Sequence, residues 1–379
     1  MKRLFFQLHL WLSIPAGIII SLICFSGAML VFEKEITALL QHDLRKADQS
    51  AGSPLPISDI FDTVGRTLPE GVEITGVEIS PDPAIAYRVN LSYPNRASLW
   101  VDQYTGHING PGKRPAFFRL MFEMHRWLLD SKRPADGSIW WGKTIVGIAT
   151  LAMLIILATG LLLWWPRSRK ALHRSLSIPL RKGWPKFWLG LHDAAGAYAA
   201  LFLIAMAVTG LTWSFRWYND GFYRLFGVTK TESARKHGGG KAEAKEISYT
   251  HWQTIYDSLA AANEGCTINI SDGKASVQLK NSINSRAADK YMFNPRNGEI
   301  TGSEPYAALQ ESSKMRGIIY SVHTGNWGGI ITRILAFLAA MTGASLPVTG
   351  YYLWLRRILR HKNTVVSPRS NGGGRGGTS

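Results

Sequence analysis

Apolar residues concentrate in four windows of the chain, Leu8–Phe32, Thr144–Trp165, Phe187–Phe215 and Gly329–Leu355. Each holds roughly 20 mostly apolar residues, enough to cross a bilayer core as a helix. No small-residue cleavage site closes the first window, and Glu33, Lys34 and Glu35 follow it. It therefore reads as a retained span and not as a signal peptide. Between the first two windows and between the last two, the period changes. Alternating stretches such as Tyr87–Tyr93 and Ala275–Leu279 predict strands, and Ile57–Leu68 and Trp252–Ala262 predict helices. Two further segments, Leu99–Ile108 and Lys290–Ile300, read as strand, turn, strand. Asp102 or Asn294 opens the turn, and Gly106 or Gly298 supplies its left-handed position.

The predicted fold is a membrane α-helical bundle of four transmembrane helices carrying two small α+β domains outside the membrane. The spacing divides the chain into transmembrane helix 1 (1–35), outer domain 1 (36–120), an interfacial segment with helix 2 (121–166) and a basic loop (167–186). Helix 3 (187–215), outer domain 2 (216–318), helix 4 (319–357) and a disordered Gly/Ser-rich tail (358–379) follow.

The second half of this plan repeats the first. With His9 set against His192, Ser26-Gly27 aligns with Thr209-Gly210 and Phe32 with Phe215. Thr159-Gly160, Trp164 and Arg167 run parallel to Thr349-Gly350, Trp354 and Arg357. The unit is a span, an outer α+β module and a returning span, used twice. Two such units predict an internal duplication with pseudo-twofold symmetry.

Charge fixes the orientation. The net charge of +17 would suit a nucleic-acid binder, but its distribution is that of a membrane protein. The loop from Arg167 to Lys186 and the tail from Arg356 onward are basic and free of acids, whereas every Asp and Glu except Asp193 lies in 33–143 or 216–328. By the positive-inside rule both termini are cytoplasmic and the two modules lie outside. Topology accounts for the basic residues, and no nucleic-acid partner is expected. Trp and Tyr flank the spans as an interfacial belt, among them Trp127, Trp140, Trp141 and Trp327. Cys24 lies in a span and Cys266 in an outer module, so no disulfide framework is expected.

Four of the ten histidines occupy matching places. His9 and His192 open the odd spans at the cytoplasmic face. His125 and His323 precede the even spans at the outer face, His125 with an extra stretch, Leu128–Ser138, that is expected to loop out. Taken singly, each reads as an interfacial histidine with one wet edge. Four at duplicated positions point to function, because ionisable groups at membrane depth are costly. His9 lies about 27 Å along its helix from Ser26-Gly27, so His9 and His125 belong to opposite faces. The pairs left are His9 with His192 and His125 with His323, each suited to a six-coordinate, non-covalent b-type haem, hence two haems per chain. Zinc or copper would need further ligands. Asp193 and Glu123 stand near, without counterparts in the other copy. Gly17, Gly27, Gly147, Gly160, Gly196, Gly210, Gly343 and Gly350 either make room for porphyrins or permit close helix packing.

Leu8-His9-Leu-Trp11 with Gly17, the Val101–Gly106 turn, Met124-His125-Arg-Trp127 and the Thr159–Trp164 helix end together resemble the PepSY-associated transmembrane family. The resemblance covers most of residues 1–360. It implies PepSY-like periplasmic domains, a location in the bacterial inner membrane, and the activity of the ferric-siderophore reductases of the ferrioxamine type found in that family. In those, membrane haems carry electrons to a periplasmic ferric siderophore and release Fe(II) for iron uptake. The chain carries no nucleotide fingerprint: His237–Lys241 lacks P-loop spacing. The donor is then another protein, a free reduced flavin or a quinol. Two alternatives stand beside this reading. One is a quinol-linked b-type cytochrome serving another periplasmic acceptor; the other is a non-catalytic, membrane-anchored peptide-binding or regulatory protein.

Overall fold

The computed structural model of the protein describes residues 1–94, 97–130, 133–134, 136–229 and 249–366. The His237–Lys241 run and the tail Ser367–Ser379 lie outside them. Helices α1 (Lys2–Leu30), α2 (Glu33–Leu40), α3 (His42–Arg45) and α4 (Ile57–Gly65) precede strands β1 (Ile74–Ile79), β2 (Tyr87–Leu91), β3 (Ser98–Val101) and β4 (Ile108–Pro111). Then come α5 (Ala116–Trp127), α6 (Trp141–Trp164), α7 (Arg169–Ser175), α8 (Trp184–Ser214), α9 (Arg216–Leu225) and α10 (Trp252–Ala262). Strands β5 (Ile268–Ser271), β6 (Lys274–Gln278), β7 (Ala288–Phe293) and β8 (Ile300–Glu304) lead to α11 (Glu311–Thr324) and α12 (Gly329–Val366). Four of the helices, α1, α6, α8 and α12, are long and apolar enough to cross a membrane.

Two expected boundaries move. The fourth span does not begin at 319: α11 ends at Thr324, Gly325 turns the chain with φ of 74°, and α12 starts afresh at Gly329. His323 thus sits on a separate helix, as His125 does on α5. At its other end α12 continues past the apolar window to Val366.

The chain divides into two compact units. The first comprises Met1–Ala28, Met124–Val208 and Phe337–Ser379. Its core is a column of side chains from the four long helices, including Ile20, Cys24, Met153, Leu157, Leu203 and Ala339. Small residues set the helix approach. A Cβ on Gly343 would stand 2.9 Å from Leu203 and 3.0 Å from the Cys24 sulfur. The Tyr351 hydroxyl donates to the Ile14 carbonyl at 2.5 Å and Ser21 Oγ to Ala344 at 2.8 Å, tying α1 to α12 by polar bonds. Such bonds matter where no water competes.

In the same unit α5 is fixed against the start of α6. Leu128 and Leu129 both take positive φ, 50° and 67°, which ends α5 and reverses the chain. Asp130 then accepts the Gly142 N–H at 2.9 Å, and its carbonyl accepts Trp140 Nε1–H at 2.6 Å. A Cβ on Gly142 would collide with the Trp127 carbonyl, so glycine is required there. The stacked pair Trp127 and Trp140 closes the corner, with ring centres 5.1 Å apart.

The second unit comprises Met29–Glu123 and Thr209–Ala336. The two outer modules, expected as separate small domains, form one eight-stranded antiparallel sheet in the order β4-β3-β2-β1-β5-β6-β7-β8. The seam is β1 against β5, in the register Gly76↔Ser271 to Ile79↔Ile268. At Gly76 the backbones pass so close that a Cβ would stand 2.8 Å from the Ile270 carbonyl oxygen. One hydrophobic core serves the whole sheet. Ile57, Ile60, Phe61 and Val64 of α4 and Trp252, Ile255 and Leu259 of α10 pack against Val77, Val89, Val101, Ile268, Ile270 and Val277. Each such side chain contributes about 1.5–3 kcal/mol when fully buried, and splitting the modules would expose the shared ones. The two predicted turns match bond for bond. Gly106 N–H donates to Asp102 O and Gly298 N–H to Asn294 O, both at 2.8 Å. Asp102 Oδ1 and Asn294 Oδ1 cap Tyr104 and Arg296 N–H in the same way.

Glu35 and Arg333 form a two-pronged ion pair in this unit, and Arg333 also donates to the Val31 carbonyl at 2.6 Å. The guanidinium holds the Glu35 carboxyl below the usual carboxylate range. A depressed carboxylate stabilises the fold above its unfolded pKa and loses that contribution as pH falls through the folded-state value. Because Glu35 is half-exposed, Glu35→Gln is expected to cost only about 1 kcal/mol or less at neutral pH. Thermal melts of wild type and variant should converge at acid pH; a constant gap across pH would mean that the charge plays no part.

Candidate functional site

Each of the four singled-out histidines rests on a Ser/Thr-Gly pair of a different long helix. His9 on α1 lies against Thr159-Gly160 of α6. Its Nδ1 is 3.1 Å from the Ile156 carbonyl and 3.3 Å from Thr159 Oγ1, and a Cβ on Gly160 would stand 3.2 Å from its Cε1. His192 on α8 lies against Thr349-Gly350 of α12, with Nδ1 2.7 Å from Thr349 Oγ1 and Cε1 3.7 Å from a Cβ at Gly350. His125 on α5 lies against Ser26-Gly27 of α1, its Nδ1 2.9 Å from the Ile23 carbonyl, with a Cβ at Gly27 only 2.8 Å from Cε1. In the second unit, His323 on α11 lies against Thr209-Gly210 of α8, at 3.2 Å from Thr209 Oγ1 and 3.0 Å from a Cβ at Gly210. The Trp213 ring meets it edge-on at 5.1 Å.

These contacts decide the tautomer. A carbonyl only accepts, so Nδ1 of His9 and of His125 carries the proton. The Thr349 hydroxyl donates to Leu346 O at 2.8 Å and so accepts from His192 Nδ1–H. For these three rings Nε2 keeps its lone pair. A partner that fixes the distant ring nitrogen is the usual support of a metal-ligating histidine. Burial pushes His125 below the ordinary histidine pKa, opposed by the Ile23 hydrogen bond and helped by Arg126.

The structure brings His9 and His192 together, with ring centres 6.4 Å apart and planes at 84°. Two imidazoles bound through Nε2 at roughly 2 Å to one ion place their centres about 6 Å apart. Among the described residues neither Nε2 has a hydrogen-bond partner, and no group of three or more His, Cys, Asp or Glu side chains converges on one point. Two neighbouring imidazoles, each held through Nδ1, could hold an ion that arrives with its own further ligands, as haem iron does. His9 and His125 do not converge: Gly27, the seat of His125, lies about 27 Å along α1 from His9. His125 belongs to the first unit and His323 to the second, and each is held on its own seat.

The hydroxyls of Thr159, Thr349 and Thr209 and the Ile23 carbonyl hold the rings, a role the sequence reading did not give them. The signal was present: each of the four long helices carries a Ser/Thr-Gly pair at an aligned position, and α12 carries a second, Thr342-Gly343. Gly27, Gly160, Gly210 and Gly350 make room for imidazole rings, whereas Gly17, Gly196 and Gly343 meet side chains of neighbouring helices.

The four long apolar helices define a multi-pass membrane protein that also carries an eight-stranded sheet. The chain belongs to the PepSY-associated TM region family, which it matches over residues 6–357. No curated protein sequence matches it.

Proposed function

We propose that this protein is a di-haem reductase of the bacterial inner membrane that carries electrons to a periplasmic ferric siderophore. The observation that carries the reading is the His9–His192 pair, 6.4 Å apart, with each Nδ1 held by a seat on the opposite helix. His125 and His323, on seats of the same kind at the other ends of α1 and α8, supply the second pair. When bound, a b-type haem supplies a one-electron iron couple at each pair. The chain's own part is to present two imidazoles per site and to fix ring orientation through Nδ1. It also keeps the sites dry among apolar helices, which tunes the potential. The matching turns and histidine seats support a duplicated chain with pseudo-twofold symmetry, its modules PepSY-like and periplasmic. The acid-free basic segments support cytoplasmic termini.

A siderophore holds Fe(III) tightly and Fe(II) weakly, so one electron delivered outside releases the metal. Dithionite-reduced protein in detergent, mixed anaerobically with a ferric hydroxamate, is expected to reoxidise while Fe(II) accumulates in a ferrozine trap. His323→Ala should abolish this reaction. If the protein stays reduced with every ferric chelate offered and reoxidises with a quinone, the reading as a reductase fails and a quinol-linked cytochrome takes its place.

A further inference from the structure

The reading above leaves the electron donor open, and the first unit carries a cavity that no part of that reading uses. It is an open groove of about 700 Å³ between the start of α1 and the ends of α6 and α12. Phe6, Trp11 and Trp354 give it aromatic walls, and Lys2, Arg3 and Arg357 give it three cations, with no Asp or Glu in its lining. The Arg357 guanidinium lies 5.1 Å from the Phe6 ring centre, so charge and ring are held together. Along the chain its lining comes close to the His9–His192 pair: Leu10 follows His9 directly. Leu163 in its lining follows Gly160, the seat of His9, and Trp354 follows Gly350, the seat of His192, each by about one helical turn, roughly 5 Å.

Resting on the proposed function, we infer that this cavity binds a reduced flavin mononucleotide as the electron donor. The cations call for an anionic head and the aromatic walls for a flat body beside it. A quinol would use the walls and leave the cations unmatched. A phospholipid would use the cations and has no electrons to give. A flavin mononucleotide joins a phosphate to a planar, redox-active ring. The balance is simple: FMNH2 gives two electrons, one at a time, and two protons, and becomes FMN. The electrons reduce two ferric ions in succession to Fe(II), and the protons pass to water at the basic end.

Binding is tested with oxidised FMN, by equilibrium dialysis against the full chain in phosphatidylcholine nanodiscs. Saturable binding near one FMN per chain is expected, with riboflavin, which lacks the phosphate, at least tenfold weaker. The double variant Lys2→Gln, Arg357→Gln should weaken FMN about tenfold and leave riboflavin unchanged. Equal binding of FMN and riboflavin, or no binding of FMN, would overturn the assignment. So would loss of FMN binding in phosphatidylglycerol nanodiscs, which would make the cavity a lipid-headgroup site. Oxidised FMN is scored whether or not the protein is red, so failure of the haem reading shows in the visible spectrum and failure of this one in the dialysis.

Discussion

On the proposed function, His192→Ala protein is expected to hold one haem fewer than the wild type, and His9→Ala should lose the same one. The two ring centres lie 6.4 Å apart, so removing either would leave one imidazole to hold the group. His125→Ala should leave that component intact, because its seat at Gly27 lies about 27 Å along α1 from His9. Pyridine haemochrome assay gives the stoichiometry, and reduced-minus-oxidised spectra separate the components. Colourless wild-type protein would end the haem reading. Loss of one and the same spectral component in His9→Ala and His125→Ala would end the pairing.

The second large effect is a graded one across the four glycine seats. A methyl group at Gly350 would stand 3.7 Å from His192 Cε1, an ordinary contact, so Gly350→Ala should retain its haem. At Gly27 the methyl would stand 2.8 Å from His125 Cε1, closer than atoms approach, and the ring must move off its seat. Overpacking of this kind costs about 1–3 kcal/mol, which lowers haem affinity roughly 5- to 150-fold at that site. Gly210→Ala and Gly160→Ala, at 3.0 and 3.2 Å, should fall between. Haem retention after dialysis against apomyoglobin gives the order. If Gly350→Ala loses haem as readily as Gly27→Ala, the glycines do not act through the imidazoles.

The spans were legible because nothing but a bilayer explains four such apolar runs separated by acid-free basic segments. Both hairpin turns were legible because Asp102…Gly106 and Asn294…Gly298 spell out the side-chain cap and the left-handed residue that the turn needs. The histidines stood out by repetition. What each one touches did not, since a Ser/Thr-Gly pair reads equally as helix packing until a ring is seen against it. The β1–β5 seam left no local trace either. An alternating strand specifies which face is buried, and says little about which edge will pair with which. The break before α12 was partly legible, since the apolar window opens only at Gly329 and Gly325, Gly328 and Gly329 punctuate the chain between His323 and the span.

The seam also dictates an order of events during biosynthesis. β1 and β5 lie on either side of two membrane spans, α6 and α8, in the chain. At about 5–20 residues per second, β1 leaves the ribosome on the order of ten seconds or more before its neighbour exists. For that interval the first half-sheet shows a bare hydrogen-bonding edge and half of a shared core, the state in which sheets join strangers. The sheet closes only after the third long helix has been made and the second module has reached the first, so correct placement of that helix becomes a checkpoint for folding of the sheet.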